Sequence, residues 1–143
     1  MRIDRISVQN FKKFDQQTFD FHPNFTLFAG NNGAGKSSIL QAVSVALGAW
    51  TYVIEGVDKR DISEQDIRRV CFLRAGMNSF EPQFPVSVTA VGTFHESTIH
   101  AWRRTRNSPD GKTIISSLAG QSEYPQAEGI YFQGVGASIR HKV

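Results

Sequence analysis

The chain has one cysteine, little net charge and no long apolar run, and each shortage excludes something. A single thiol, Cys71, in 143 residues rules out an internal disulfide and fits a reducing compartment. A net charge of +3 without a long basic run permits contact with nucleic acid but does not argue for it. The most apolar long stretch, Ile39 to Trp50, is too short to span a bilayer, which takes about 20 residues. The opening Met1-Arg2-Ile3-Asp4-Arg5 lacks the apolar centre of a signal peptide. The expectation is a cytoplasmic protein with no membrane partner. His95 and His100 have no Cys or acidic cluster at ligand spacing, so no metal site is expected there. There is no internal repeat. With 40% apolar and 20% charged residues, the chain has enough to build one ordinary domain around a real core.

The most informative stretch is Gly30-Asn31-Asn32-Gly33-Ala34-Gly35-Lys36-Ser37. It meets the phosphate-loop pattern G-x-x-x-x-G-K-[ST] at every fixed position. The glycines let the backbone approach phosphate oxygens, and the loop's N–H groups can turn inward as a nest for an anion. Lys36 can reach the β- and γ-phosphates and is the catalytic candidate. The Ser37 hydroxyl can join the shell of a Mg2+ ion and is the metal-ligand candidate. Context should supply a buried strand before the loop and a helix after it. Phe25-Thr26-Leu27-Phe28-Ala29 is expected as that strand. From Ser38, apolar Ile39, Ala42, Val43, Ala46, Leu47 and Trp50 fall at helical spacing, with Gly48 as the expected stop. No Asn-Lys-x-Asp motif reads guanine, which disfavours a GTPase.

Around this stretch the chain reads in four pieces. Residues 1–50 hold a strand over 2–11, a turn at 12–15, a second strand carrying Phe19 and Phe21, and then the loop with its helix. Ile3 and Phe11 fall out of phase with Ile6 and Val8, which predicts a bulge or a change of burial. Residues 51–84 are a connecting segment. Its Tyr52-Val53-Ile54-Glu55 imitates a Walker B strand, but it is too short and follows the helix too closely; a bend or short strand is expected at Glu55-Gly56. A short helix is expected over 61–68, with Ser63 as cap and Asp66 three residues on, then a strand at Val70–Leu73 with Cys71 in the core, then a loop over 75–84. Asp58, Arg60, Asp61 and Asp66 read as a surface salt-bridge patch. Residues 85–118 alternate as an antiparallel meander, broken by the turn signal Asn107-Ser108-Pro109-Asp110-Gly111. Arg103, Arg104 and Arg106 beside Trp102 are either a solvated strand end or a contact to a nucleic-acid backbone. Residues 119–143 form a poorly defined tail.

Three stretches together resemble the N-terminus of RecF- and SMC-type ATPases, relatives of ABC ATPases. They are Ile6-Ser7-Val8-Gln9-Asn10-Phe11-Lys12-Lys13-Phe14, Phe19-Asp20-Phe21-His22-Pro23, and Leu27 through the loop to Ala42. The match looks closest to stand-alone AAA-type ATPases of the OLD-like and PtuA-like anti-phage group. It covers residues 1–50 and extends more weakly to 106. The resemblance implies an α/β P-loop NTPase fold: the N-terminal lobe of an ABC/SMC-like head over 1–143, with an antiparallel β-subdomain, the head being incomplete. It implies ATP and Mg2+ as ligands, with Gly30, Asn31, Asn32, Gly33, Ala34, Gly35, Lys36, Ser37 and Ser38 on the phosphates. It places Lys12 and Lys13 near the nucleotide's base or ribose, although two solvated turn lysines fit the sequence equally. It offers Gln133 as a Q-loop glutamine, although Gly134 and Gly136 also suit a flexible tail.

The departures from the pattern are a missing Walker B Asp-Glu, a missing Ser-Gly-Gly signature and a missing switch histidine. The chain is therefore expected to be the front part of a longer ATPase, binding nucleotide poorly and hydrolysing it hardly at all by itself. The resemblance further implies a homodimer or head-to-head oligomer that closes around ATP. That assembly would control a nuclease or other effector acting on nucleic acid, in bacterial DNA metabolism or anti-phage defence. The alternatives are the ATP-binding subunit of a membrane transporter, and an inactive fragment serving as an interaction module.

Overall fold

A computed structural model describes residues 2–51, 54, 56–93 and 98–128. Strands β1 (Arg2–Phe11) and β2 (Phe14–Asp20) form the expected antiparallel hairpin, from Phe11 opposite Phe14 out to Arg5 opposite Asp20. Helix α1 (Lys36–Thr51) follows the loop. A single 3-10 turn, Glu64–Asp66, stands where the longer helix over 61–68 is expected. Strands β3 (Arg69–Arg74) and β4 (Met77–Pro82) make a two-stranded ribbon. Then come β5 (Val86–Thr93), β6 (Ile99–Arg106) and β7 (Ile114–Ser117).

The meander β5-β6-β7 is present and is continuous with the first hairpin. Strand β5 pairs along β1, giving one antiparallel sheet in the order β2-β1-β5-β6-β7. The expected irregularity near the start of β1 lies between Ile3 and Arg5, where the register against β5 shifts. One face of the sheet carries Ile6, Val8, Val86, Val88, Ala90, Trp102 and Ile115, all buried against Ala42, Val45, Ala46 and Ala49 of α1. Alanines on the helix let its backbone come close enough for Trp102 Nε1 to donate to the Ala46 carbonyl at 3.0 Å. Trp50 meets Trp102 edge to face, with centroids 5.6 Å apart.

Several sequence expectations are corrected. Phe25–Ala29 is not a strand: no strand pairs with it among the described residues, and Phe25 and Leu27 are 71% and 75% exposed. An apolar run becomes a central strand only beside hydrogen-bonding neighbours. Gly48 does not stop α1. It is buried within the last turns, where an added Cβ would lie 2.4 Å from Arg104 Nη1 and 2.5 Å from the Arg60 carbonyl oxygen. The glycine serves close packing. The buried stripe of α1 is accordingly Ile39, Ala42, Val45, Ala46, Gly48 and Ala49, rotated from the expected one. The loop expected over 75–84 is largely strand β4. Its turn is Ala75-Gly76, with φ of +49° and +77°, the two-residue geometry that suits a twisted hairpin. Cys71 is exposed on that ribbon and is not a core residue.

Candidate phosphate-binding site

Loop and helix are joined by backbone bonds that leave the loop's inner side to its N–H groups and side chains. Ala34 N–H donates to the Asn31 carbonyl at 3.1 Å, and Ile39 N–H donates to that of Gly35 at 3.0 Å, opening α1. Lys36 Nζ curls back over the loop and donates to the carbonyls of Gly30 at 2.5 Å and Asn31 at 2.9 Å. No acidic side chain occupies the first turn of α1, so no carboxylate there offsets the helix's positive end.

The β1–β2 turn leans on this loop. Lys13 Nζ donates to the Gly33 carbonyl at 2.7 Å. Gly35 has φ +104°, and a Cβ there would stand 2.7 Å from Phe14 Cζ and 3.1 Å from Lys13 Cδ. Glycine is thus demanded twice at Gly35, by the backbone and by the hairpin against it. Between turn and loop lies a cleft of about 240 Å³ lined by Lys13, Asn32, Gly33, Gly35, Lys36, Ser37 and Ser38. Its lining is two ammonium groups, two hydroxyls, an amide and glycine backbone, with no carboxylate. That donor set fits a nucleotide's phosphates with a divalent cation at Ser37. A wider cavity of about 650 Å³ adjoins it, sharing Lys13 and Ser38 and adding Lys12, Glu64, Gln65, Ile67 and Arg69.

Neither turn lysine is simply solvated. Lys13 is tied to the loop, and Lys12 is paired with Asp66 at 3.2 Å with 21% of its side chain exposed. Gln133 and His95 lie outside the described residues, as do Tyr52, Val53 and Glu55. His100 Nδ1 is 3.2 Å from the Glu128 carbonyl oxygen. Among the described residues no three potential ligands gather for a metal.

The acidic and basic patch expected on the surface is partly interior. Asp66 is wholly buried and receives both Arg60 guanidinium nitrogens, at 2.8 and 2.9 Å. Burial pushes its carboxyl up. Hydrogen bonds from Arg60 and Ser63, with the Arg60 charge, outweigh that and hold it below the usual carboxylate range. The only sequence signal was the Ser63-x-x-Asp66 spacing. Arg104 is wholly buried as well, so it is neither a solvated strand end nor free to meet a nucleic acid. Arg106 is turned to the Ile62 carbonyl at 3.1 Å, and Arg103 Nε donates to Thr89 Oγ1 at 2.9 Å.

Comparison with known proteins agrees with the loop. A family model described as an AAA domain matches residues 5–130. The DNA replication and repair protein RecF of Lactococcus lactis subsp. lactis is 40% identical over 43 residues, 30% of this chain and 12% of RecF. The DNA double-strand break repair Rad50 ATPase of Pyrococcus abyssi is 31% identical over 70 residues, 49% of this chain and 8% of Rad50. That of Sulfurisphaera tokodaii is 43% identical over 47 residues, 33% of this chain and 5% of the relative. The matched stretches are thus small fractions of these relatives. No helix among the described residues is long and apolar enough to cross a membrane.

Proposed function

This chain belongs to the AAA domain family, and from that premise we propose that it is the ATP-binding lobe of an ATPase acting on DNA. The likeness to RecF and Rad50 supports the coarse class, a P-loop ATPase of SMC/RecF type. In this reading Gly30 to Ser38 hold the phosphates. Lys36 exchanges the Gly30 and Asn31 carbonyls for β- and γ-phosphate oxygens, Ser37 binds Mg2+, and Lys12 and Lys13 stand on the nucleoside side. Mg2+ held there neutralises charge on the transferring phosphoryl group. The chain's own residues bind and orient. The observation that carries the reading is the cleft between turn and loop, lined by donors alone.

The same lining lacks a carboxylate to position water, so slow turnover by this chain alone is part of the proposal. Two such lobes closing around ATP would gate an effector on nucleic acid. The names of RecF and Rad50 favour DNA replication or repair as the setting; anti-phage defence, with a nuclease as effector, is the narrower version. Titration with a fluorescent ATP analogue and Mg2+ tests the site. Lys36→Ala should weaken binding at least about tenfold, the loss of charged hydrogen bonds. Unchanged affinity rejects it.

A further inference from the structure

We propose that Asp66 is a positioning residue for the phosphate loop, holding the Lys12–Lys13 turn where it braces Gly33 and Gly35. The proposal rests on the reading of the loop as a nucleotide site. Its evidence is a chain of contacts that begins in the interior and ends on the loop.

The anchor is over-determined. Besides Arg60, the Asp66 carboxylate accepts from Ser63 N–H at 2.8 Å and Ser63 Oγ at 2.8 Å. These bonds lie within the 60–66 segment and hold the carboxylate still. Its remaining partner comes from the other end of the lobe. Lys12 meets Asp66 twice, through Nζ at 3.2 Å and through its main-chain N–H, which donates to the Asp66 carbonyl at 2.7 Å. Lys12 needs such holding, because it sits at φ +54°, where an L side chain is strained.

The next two residues deliver the position to the loop. Lys13 bonds the Gly33 carbonyl, and Phe14 fills the space beside Gly35. Asp66 itself lines neither cavity, so its action on the loop is indirect. Other rungs join the same two segments without Asp66: Arg68 N–H donates to the Asn10 carbonyl at 2.9 Å, and Phe11 bridges Ile67. Removing the Asp66–Lys12 ion pair should therefore leave the segments docked and release the turn.

The test uses the full chain and two readouts, hydrogen–deuterium exchange without nucleotide and affinity for MgATP. Lys12→Met keeps the stem and removes the charge; Lys12→Arg restores the charge; Asp66→Asn removes it from the other side. Lys12→Met should speed exchange of the amides at 31–35 by about tenfold while those of β1 and β5 stay protected. It should weaken MgATP by about tenfold, as a small misplacement of a binding group does. Lys12→Arg should recover most of both. Loop exchange at the native rate in Lys12→Met overturns the proposal, and so does faster exchange shared equally by loop and sheet, since that would be general loosening. Should Asp66→Asn fail to fold, Lys12→Met still decides. If Lys36→Ala leaves MgATP affinity unchanged, the nucleotide reading falls, while the exchange measurement still judges the link between Asp66 and the loop.

Discussion

Arg104, in the middle of β6, donates from Nη1 to the Val45 carbonyl of α1 at 2.9 Å, with its side chain wholly out of solvent. The same nitrogen donates to the Arg60 carbonyl at 2.6 Å, and Nη2 pairs with the Asp61 carboxylate. One guanidinium therefore fastens the sheet, the helix and the segment after the helix. Arg104→Met keeps much of the volume but strips three acceptors of their donor. It should cost about 3 kcal/mol, as breaking a buried charged network does. Arg103→Met, one residue along and half-buried, should cost under about 1 kcal/mol. Urea denaturation of both variants measures the contrast, and equal costs would contradict the assignment.

Gly48 gives a second prediction through the same residue. On helix propensity alone Gly48→Ala should stabilise by about 1 kcal/mol. The added Cβ, however, would meet Arg104 Nη1 and a main-chain oxygen at distances no Cβ tolerates. The side chain can shift but the Arg60 backbone cannot do so cheaply. The net change should be a loss of about 1–3 kcal/mol, read as a lower denaturation midpoint with the slope unchanged.

These two residues also mark how far the sequence could be read. The phosphate loop was legible because its chemistry is local: adjacent residues supply the glycines, the lysine and the hydroxyl. The hairpin and the meander were legible from alternation. Gly48 and Arg104 were misread because their meaning comes from each other across 56 positions of chain. Composition marks a glycine as a stop and an arginine as exposed, and packing overrides both. Phe25–Ala29 was misread for a related reason. Its apolar run satisfies a strand pattern, but pairing is a property of the neighbours. Asp66 lay hidden in a segment whose charges, counted without geometry, look like solvated surface.

Acid should find Asp66. Its carboxyl is held below its ordinary value in the folded chain, so folding favours the ionised form. The stability this contributes is fully present above the unfolded value, about 3.9 for aspartate. It is lost as pH falls through the depressed folded value. Stability measured from pH 7 down to 3 should therefore fall for the native chain at the acid end. Asp66→Asn should start lower at pH 7, by about 3 kcal/mol for a broken buried pair, and should lack that part of the acid slope. Parallel curves for the two proteins would assign the acid loss to other carboxylates.

The loop itself offers a test that separates backbone strain from collision. At Gly33 φ is +82°, and an added Cβ would meet nothing within 4 Å. At Gly35 φ is +104°, and the Cβ would run into Phe14 and Lys13. Gly33→Ala should therefore cost only conformational strain, about 1–2 kcal/mol, and weaken MgATP correspondingly. Gly35→Ala carries similar strain and must also push the β1–β2 turn off the loop, so its affinity loss should exceed that of Gly33→Ala by about tenfold or more. Adding Phe14→Leu to Gly35→Ala removes the ring that is struck and should recover part of the loss. The same Leu in the native background should recover nothing. If Gly33→Ala and Gly35→Ala weaken binding equally, the hairpin does not bear on the loop in solution and the cleft between them is not the nucleotide's seat.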